Sequence, residues 1–88
     1  MKLDFFNGGT LLTVNVDERV DKDEHEKTGS ILRGVRNRNA VNASRMAKML
    51  GVSAQYLSDL ELGRRNWNNE LAEEYVRLLG VKIANRKK

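Results

Sequence analysis

The chain has 88 residues, enough for one small domain with a thin core. It contains no Cys and no Pro, which excludes a disulfide framework and a thiolate metal site and suits a largely helical chain in a reducing setting. Sixteen Lys and Arg against twelve Asp and Glu give a net charge of +4, and no apolar run approaches the roughly 18–20 residues of a membrane span.

Residues 1–16 read as a β-hairpin. Asn7-Gly8 lies between two apolar runs, a strong short-range hairpin signal. A turn at Asn7-Gly8 pairs Phe6 with Gly9, Phe5 with Thr10 and Leu3 with Leu12. Leu3, Phe5, Leu12, Val14 and Val16 then share one face. Lys2, Asp4, Thr13 and Asn15 share the other, with Phe6 and Leu11 as exceptions. A one-residue slip would undo this sorting. A lone hairpin is marginal in water, so this one is expected to pack on the helices or to pair with another chain. Asp4 and the lack of a long apolar stretch speak against a secretory leader. No Lys-Ser/Thr follows Asn7-Gly8-Gly9, so it is a turn and not a phosphate loop.

Residues 17–27 are a charged linker or the start of a helix, with Asp21 or Asp23 as its cap. That helix runs on through Ile31, Leu32 and Val35 and ends near Asn37 to Asn39. Asn42 caps a second helix, in which Met46, Ala47, Met49 and Leu50 are expected on the core side. Gly51 ends it, Val52 plugs the turn and Ser53 caps a third helix with Leu57 and Leu60 on its buried stripe. Two short helices joined by such a turn form a helix-turn-helix, whose second helix is sized for the major groove of DNA. A loop over 64–69 leads to a fourth helix with Leu71, Tyr75, Leu78 and Leu79 at helical spacing, closed by Gly80. Residues 82–88 read as a basic tail. The fold class expected is mainly α: a compact four-helix bundle with an added N-terminal hairpin. Charge follows the same division. Residues 1–27 carry seven acids and four bases, net −3, and residues 28–88 twelve bases and five acids, net +7. The basic part coincides with the helix-turn-helix, as an electrostatic footprint for phosphate would.

From about Thr28 to Val81 the chain resembles the lambda-repressor/Cro-like helix-turn-helix family, also called the XRE family. The residues that carry the resemblance are Leu32 and Arg36, Val41-Asn42, Met46-Ala47, Leu50-Gly51-Val52-Ser53, Leu57, Leu60-Glu61, Gly63 and Leu79-Gly80-Val81. The resemblance implies a domain over 28–81 that binds double-stranded, pseudo-palindromic operator DNA as a homodimer and represses transcription. It also implies a cytoplasmic, nucleoid-associated setting in a bacterial or phage-infected cell. Relatives often dimerise through a fifth helix after the LGV segment, and the seven residues after Val81 are too few for one. Leu3, Phe5, Leu12, Val14 and Val16 of the hairpin are therefore the expected dimer contact.

Family pattern and geometry together put the start of the third helix in the groove. Gln55 is the best base reader, because its amide can donate to and accept from adenine at once. Ala54 fits a thymine methyl, Ser58 a base or a water, and Tyr56 stands at the flank. Asp59 either accepts from cytosine N4 or holds Arg64 or Arg65, the second being preferred. Phosphate contacts are expected from Asn42, Arg45, Arg64, Arg65 and Asn66, and with less support from Arg33, Arg38 and Lys48. Ala43 stands where many relatives have Gln, so one familiar contact is missing. Six neutralised phosphates per dimer would give a log-affinity slope against log salt of about −5. The family also pairs the acid at Glu61 with Arg36, a structural ion pair between helices one and three. Trp67 is read as a lid on the core.

Catalysis finds little footing: His25 is the only His, in an acidic run, and the acids of 17–26 lack the Gly and spacing of a calcium loop. No metal, cofactor or membrane partner is expected. Two alternatives to the repressor stay open. One is an antitoxin that binds a toxin and represses their shared promoter. The other is a protein-interaction module without DNA binding, for which Ala43 and Asp59 are the only support.

Overall fold

The computed structural model describes residues 2–17 and 19–84. The chain forms a hairpin of β1 (Lys2–Asn7) and β2 (Thr10–Asn15), four helices, α1 (Lys22–Arg38), α2 (Ala43–Leu50), α3 (Ala54–Leu62) and α4 (Asn69–Leu78), and a short strand β3 (Lys82–Ile83). It is the helix-turn-helix bundle with an added hairpin that the residue pattern implies.

Each helix begins on a side chain that accepts from an otherwise orphaned backbone N–H. Asp21 accepts from Glu24 N at 3.0 Å, Asn42 from Arg45 N at 2.8 Å, Ser53 from Tyr56 N at 3.0 Å and Asn68 from Leu71 N at 2.8 Å. Gly51 closes α2 in the left-handed conformation, and Val52 N returns to Ala47 O at 3.0 Å. The turn between α2 and α3 is thus fixed by local chemistry at both of its ends.

The hairpin register differs from the expected one by two residues. Leu3 pairs with Val14, Phe5 with Leu12 and Asn7 with Thr10, so the turn is Gly8-Gly9 and not Asn7-Gly8. Gly8 and Gly9 have φ of 61° and 88°. A tight two-residue turn of the type that suits strand twist needs positive φ at both central residues, and two glycines meet this without the strain an Asn would take. The shift also sets apolar residues directly opposite one another. Because it is an even number, the sorting of faces survives.

Residues 82–88 are not simply a tail. Lys82–Ile83 pair antiparallel with β1 opposite Phe6 and Phe5, and Ala84 N donates to Asp4 O at 2.8 Å. The sheet order is β2-β1-β3, so β3 covers the edge of β1. Residues 85–88 lie outside those described. β2 lies against α1, and β1 and β3 lie against α4.

One core runs through sheet and helices. It joins Leu3, Phe5, Val14 and Val16 to Leu32, Val35, Met46, Leu57, Leu60, Trp67, Tyr75 and Val76, all nearly inaccessible. This changes the role expected of the hairpin. The side chains of Leu3, Phe5, Val14 and Val16 are at most 3% exposed and Leu12 packs against the same core. They are consumed within one chain and do not present a face to a second. Met49, expected in the core, is 37% exposed.

Among the described residues of the run 17–27 only His25 is buried. Helix α1 buries His25, Thr28, Gly29, Leu32, Val35 and Arg36 along one stripe. Gly29 marks where α1 crosses α3: a Cβ there would collide with the carbonyl of Glu61 and stand 2.6 Å from that of Leu60. Only a residue without a side chain lets the two backbones meet this closely.

Candidate nucleic-acid interface

Helix α3 buries Leu57, Leu60 and Glu61 and leaves Ala54, Gln55, Ser58 and Leu62 exposed. At the start of the helix the outward face, Ala54, Gln55 and Ser58, is small and uncharged, with Asp59 partly covered beside it and Leu62 exposed at the far end. Asp59 organises this face. Gln55 Nε2 donates to Asp59 Oδ1 at 3.0 Å, Arg64 Nη1 lies 3.9 Å from Oδ1 and Arg65 Nε lies 3.7 Å from Oδ2. The backbone N–H groups of Arg64 and Arg65 also donate to Asp59 O, at 2.8 and 3.3 Å. One carboxylate thus orients Gln55 on one side and gathers two cations on the other. The amide of Gln55 has two N–H donors. With one on Asp59, the second N–H and Oε1 together match the acceptor and donor of adenine.

Tyr56 is half-buried and packs against the core. The Arg65 guanidinium carbon sits 4.5 Å above its ring centre, a cation–π contact that holds Arg65 at the rim. Tyr56 is thus placed as a support for Arg65, off the face that carries Ala54, Gln55 and Ser58. Asn66 is exposed in the same loop, and Asn42, Ala43 and Arg45 are exposed at the start of α2. With the Asn42 side-chain oxygen used as a cap, its amide N–H groups remain to donate outward.

Behind this face α3 is tied down by a buried polar cluster. Arg36 Nε and Nη2 donate to Glu61 Oε2 and Oε1 at 2.8 and 2.9 Å, and Arg36 Nη1 donates to Val41 O at 2.9 Å. Tyr75 adds a third element: its hydroxyl donates to Glu61 Oε2 at 2.5 Å. Arg36 and Glu61 are 6% and 7% exposed, so the fork is a desolvated, fully bonded pair. It joins α1, α3, α4 and the loop before α2. Its bond to Glu61 holds the Arg36 guanidinium charged well above its ordinary range. Burial first, and then the bond to Glu61, push the Tyr75 phenol far above its ordinary value of 10.0.

This predicts an alkaline instability. A raised Tyr pKa means that stability is fully present below the unfolded value of about 10 and is lost as pH climbs toward the folded value, because only the unfolded chain sheds the proton. Above pH ~10 unfolding free energy should fall by up to ~1.4 kcal/mol per pH unit from this group. Urea unfolding of the chain and of Tyr75→Phe at pH 9, 10 and 11 checks it, the variant lacking this share of the slope.

Three contacts of Trp67, in the α3–α4 loop, have no counterpart in the sequence reading. Trp67 is fully buried, its Nε1–H donates to Leu60 O at 3.0 Å, and its ring meets Tyr75 edge-on at 5.5 Å. Its backbone N–H donates to Nδ1 of buried His25 at 3.0 Å. The loop bearing Arg64, Arg65 and Asn66 is thereby anchored on α1. The stripe Leu32, Gly29, Thr28 and His25 was the signal for the burial of His25. The Gln55–Asp59 spacing of four was the signal for their bond.

The arrangement is a short helix with an exposed polar face, held rigidly on a bundle and rimmed by cations, which defines a DNA-binding helix-turn-helix. The family model described as Helix-turn-helix matches residues 32–84, and the chain belongs to this family, in its XRE type. It is a DNA-binding regulator of that type. The match begins inside α1 and ends after β3, so β1 and β2 are additions to it. No curated protein matches the chain. Among the described residues no helix is long and apolar enough to cross a membrane, and no three His, Cys, Asp or Glu gather to hold a metal ion.

Proposed function

We propose that the chain is a sequence-specific repressor that binds a pseudo-palindromic operator as a homodimer and acts on its own operon. The observation that carries this reading is the exposed Ala54-Gln55-Ser58 face with Gln55 aligned by Asp59. Arg64 and Arg65 on one side, and Asn42 and Arg45 at the start of α2, supply the phosphate contacts. Base contacts then specify, and the cationic rim supplies affinity and register. Asp59, which had favoured a module without DNA binding, is neutralised by Arg64 and Arg65 and fits the DNA-binding reading.

With the inner face of the hairpin consumed in the core, dimer contact falls to other surfaces. The outer edge of β2 at Leu11 and Thr13 is the open edge of the described sheet. The antitoxin reading keeps one supporting observation: Phe6 and Leu11 pair across the strands and are 40% and 54% exposed, an apolar spot suited to a protein partner.

Selection of bound sites from random duplex DNA tests the proposal. Enriched palindromes with half-sites about one helical turn apart are expected. Single, unrepeated half-sites would contradict the dimer. Arg65→Ala is expected to weaken binding to all sequences alike and to lower the salt slope by about 1 per subunit, checked by titrations on matched and mismatched duplexes.

A further inference from the structure

An open hollow of about 350 Å³ lies between α1, the start of α2 and the outer face of α3, lined by Arg33, Arg36, Ala43, Ser58, Glu61 and Leu62. It opens beside Ser58, on the face proposed to meet DNA. Two of its charged residues are spent on each other: Arg36 and Glu61 form the buried fork. Arg33 is different. It is exposed and makes no ion pair among the described residues. It also lines the neighbouring groove with Asp23, Glu26 and Lys27, so its side chain borders both openings. Ala43, the first residue of α2, is a wall of the hollow. A longer side chain there would enter it, and a single methyl leaves it open.

We propose that Arg33 is a phosphate ligand of the DNA backbone, reaching from α1 through the hollow that Ala43 leaves open. The inference rests on the reading of α3 as the DNA-binding helix. The first residues of a helix carry unpaired N–H groups that favour a phosphate nearby, so the strand that passes Ala43 brings an anion to the mouth of the hollow. A guanidinium with no carboxylate partner is the group suited to meet it. The Arg36–Glu61 fork offers no competing net charge. Arg33 therefore supplies from α1 the contact that a side chain at position 43 does not make.

The test is fluorescence anisotropy of the full chain on a duplex of arbitrary sequence, titrated between 50 and 200 mM salt, for the unaltered chain, Arg33→Ala, Arg33→Lys and Arg65→Ala. Losing one phosphate contact per subunit should lower the salt slope of a dimer by about 1.8, so over this range Arg33→Ala should lose about tenfold less affinity than the unaltered chain. Arg33→Lys should keep the slope. In an Ala43→Gln background, with the hollow filled, the effect of Arg33→Ala should shrink. Arg33→Ala with unaltered affinity and slope, while Arg65→Ala lowers both, would overturn this inference and leave the DNA-binding reading intact. A loss of affinity for Arg33→Ala with the salt slope unchanged would also overturn it. An unaltered chain that fails to bind the duplex at 50 mM salt would overturn both readings.

Discussion

Glu61→Ala is expected to cost about 3–5 kcal/mol, the range for removing one partner of a buried ion pair. The loss has two parts. The Arg36 guanidinium, 6% exposed, keeps its charge and its burial but loses two of its acceptors. The Tyr75 hydroxyl, buried beside it, loses the carboxylate that accepts its proton. A domain of 88 residues has roughly 4–13 kcal/mol in all at 0.05–0.15 kcal/mol per residue. The variant should therefore be partly unfolded or nearly so at 37 °C, with a lowered urea midpoint and no specific DNA binding. The physical cause can be separated from mere truncation. Arg36→Met/Glu61→Leu/Tyr75→Phe removes all three side chains of the cluster at once, leaving only Val41 O without the Arg36 donor, and should recover most of the lost stability, because no charge is left buried and alone. A Glu61→Ala midpoint unchanged from the parent would show that the fork does not hold α1 to α3.

Trp67→Ala should cost a similar amount, about 3–5 kcal/mol, but for a different reason. Trp67 is among the largest fully buried side chains. Its loss opens a cavity against Tyr75 and takes one of two donors from Leu60 O, which keeps Gly63 N at 3.2 Å. Trp67→Phe keeps most of the volume and gives up the indole N–H, so it should lose about 0.5–1.5 kcal/mol for the one hydrogen bond removed, Leu60 O still accepting from Gly63 N. Circular dichroism is the readout, since Trp67 is the single Trp of the chain. The alanine variant should also loosen the loop that carries Arg64 and Arg65, lowering DNA affinity in the fraction that still folds. Equal stability losses for Trp67→Phe and Trp67→Ala would show that the hydrogen bond, and not the packing, dominates.

The elements that could be read from the sequence are those whose signals are local. Asn42, Gly51 and Ser53 mark helix ends through bonds to residues three or four away, so the turn between α2 and α3 is written where it occurs. The apolar sorting of Leu3, Phe5, Leu12, Val14 and Val16 identified the inner face of the hairpin. It could not fix the register, because a slip of two residues preserves every face. The left-handed conformation of both Gly8 and Gly9 decides it. Strand β3 has two residues and no periodicity of its own. It exists because β1 presents an edge to it. Tyr75 read as one more apolar residue of α4, since its aromatic ring hides a hydroxyl whose acceptor lies on another helix. Gly29 gave no local sign of the crossing it permits. On the outer face of α3, Gln55 and Asp59 were both visible as candidates. Their bond makes one the support of the other, and the aromatic ring of Tyr56 proves to be the seat of Arg65.

We propose that α3 reads base pairs through Gln55. Site selection from random duplex DNA, run in parallel with the unaltered chain and Gln55→Ala, tests it most directly. A defined consensus is expected for the unaltered chain. For Gln55→Ala the same consensus is expected with one position per half-site, an A·T pair, made degenerate, at about 1–3 kcal/mol of lost discrimination. An identical consensus for the two proteins, or no enrichment with either, would contradict it.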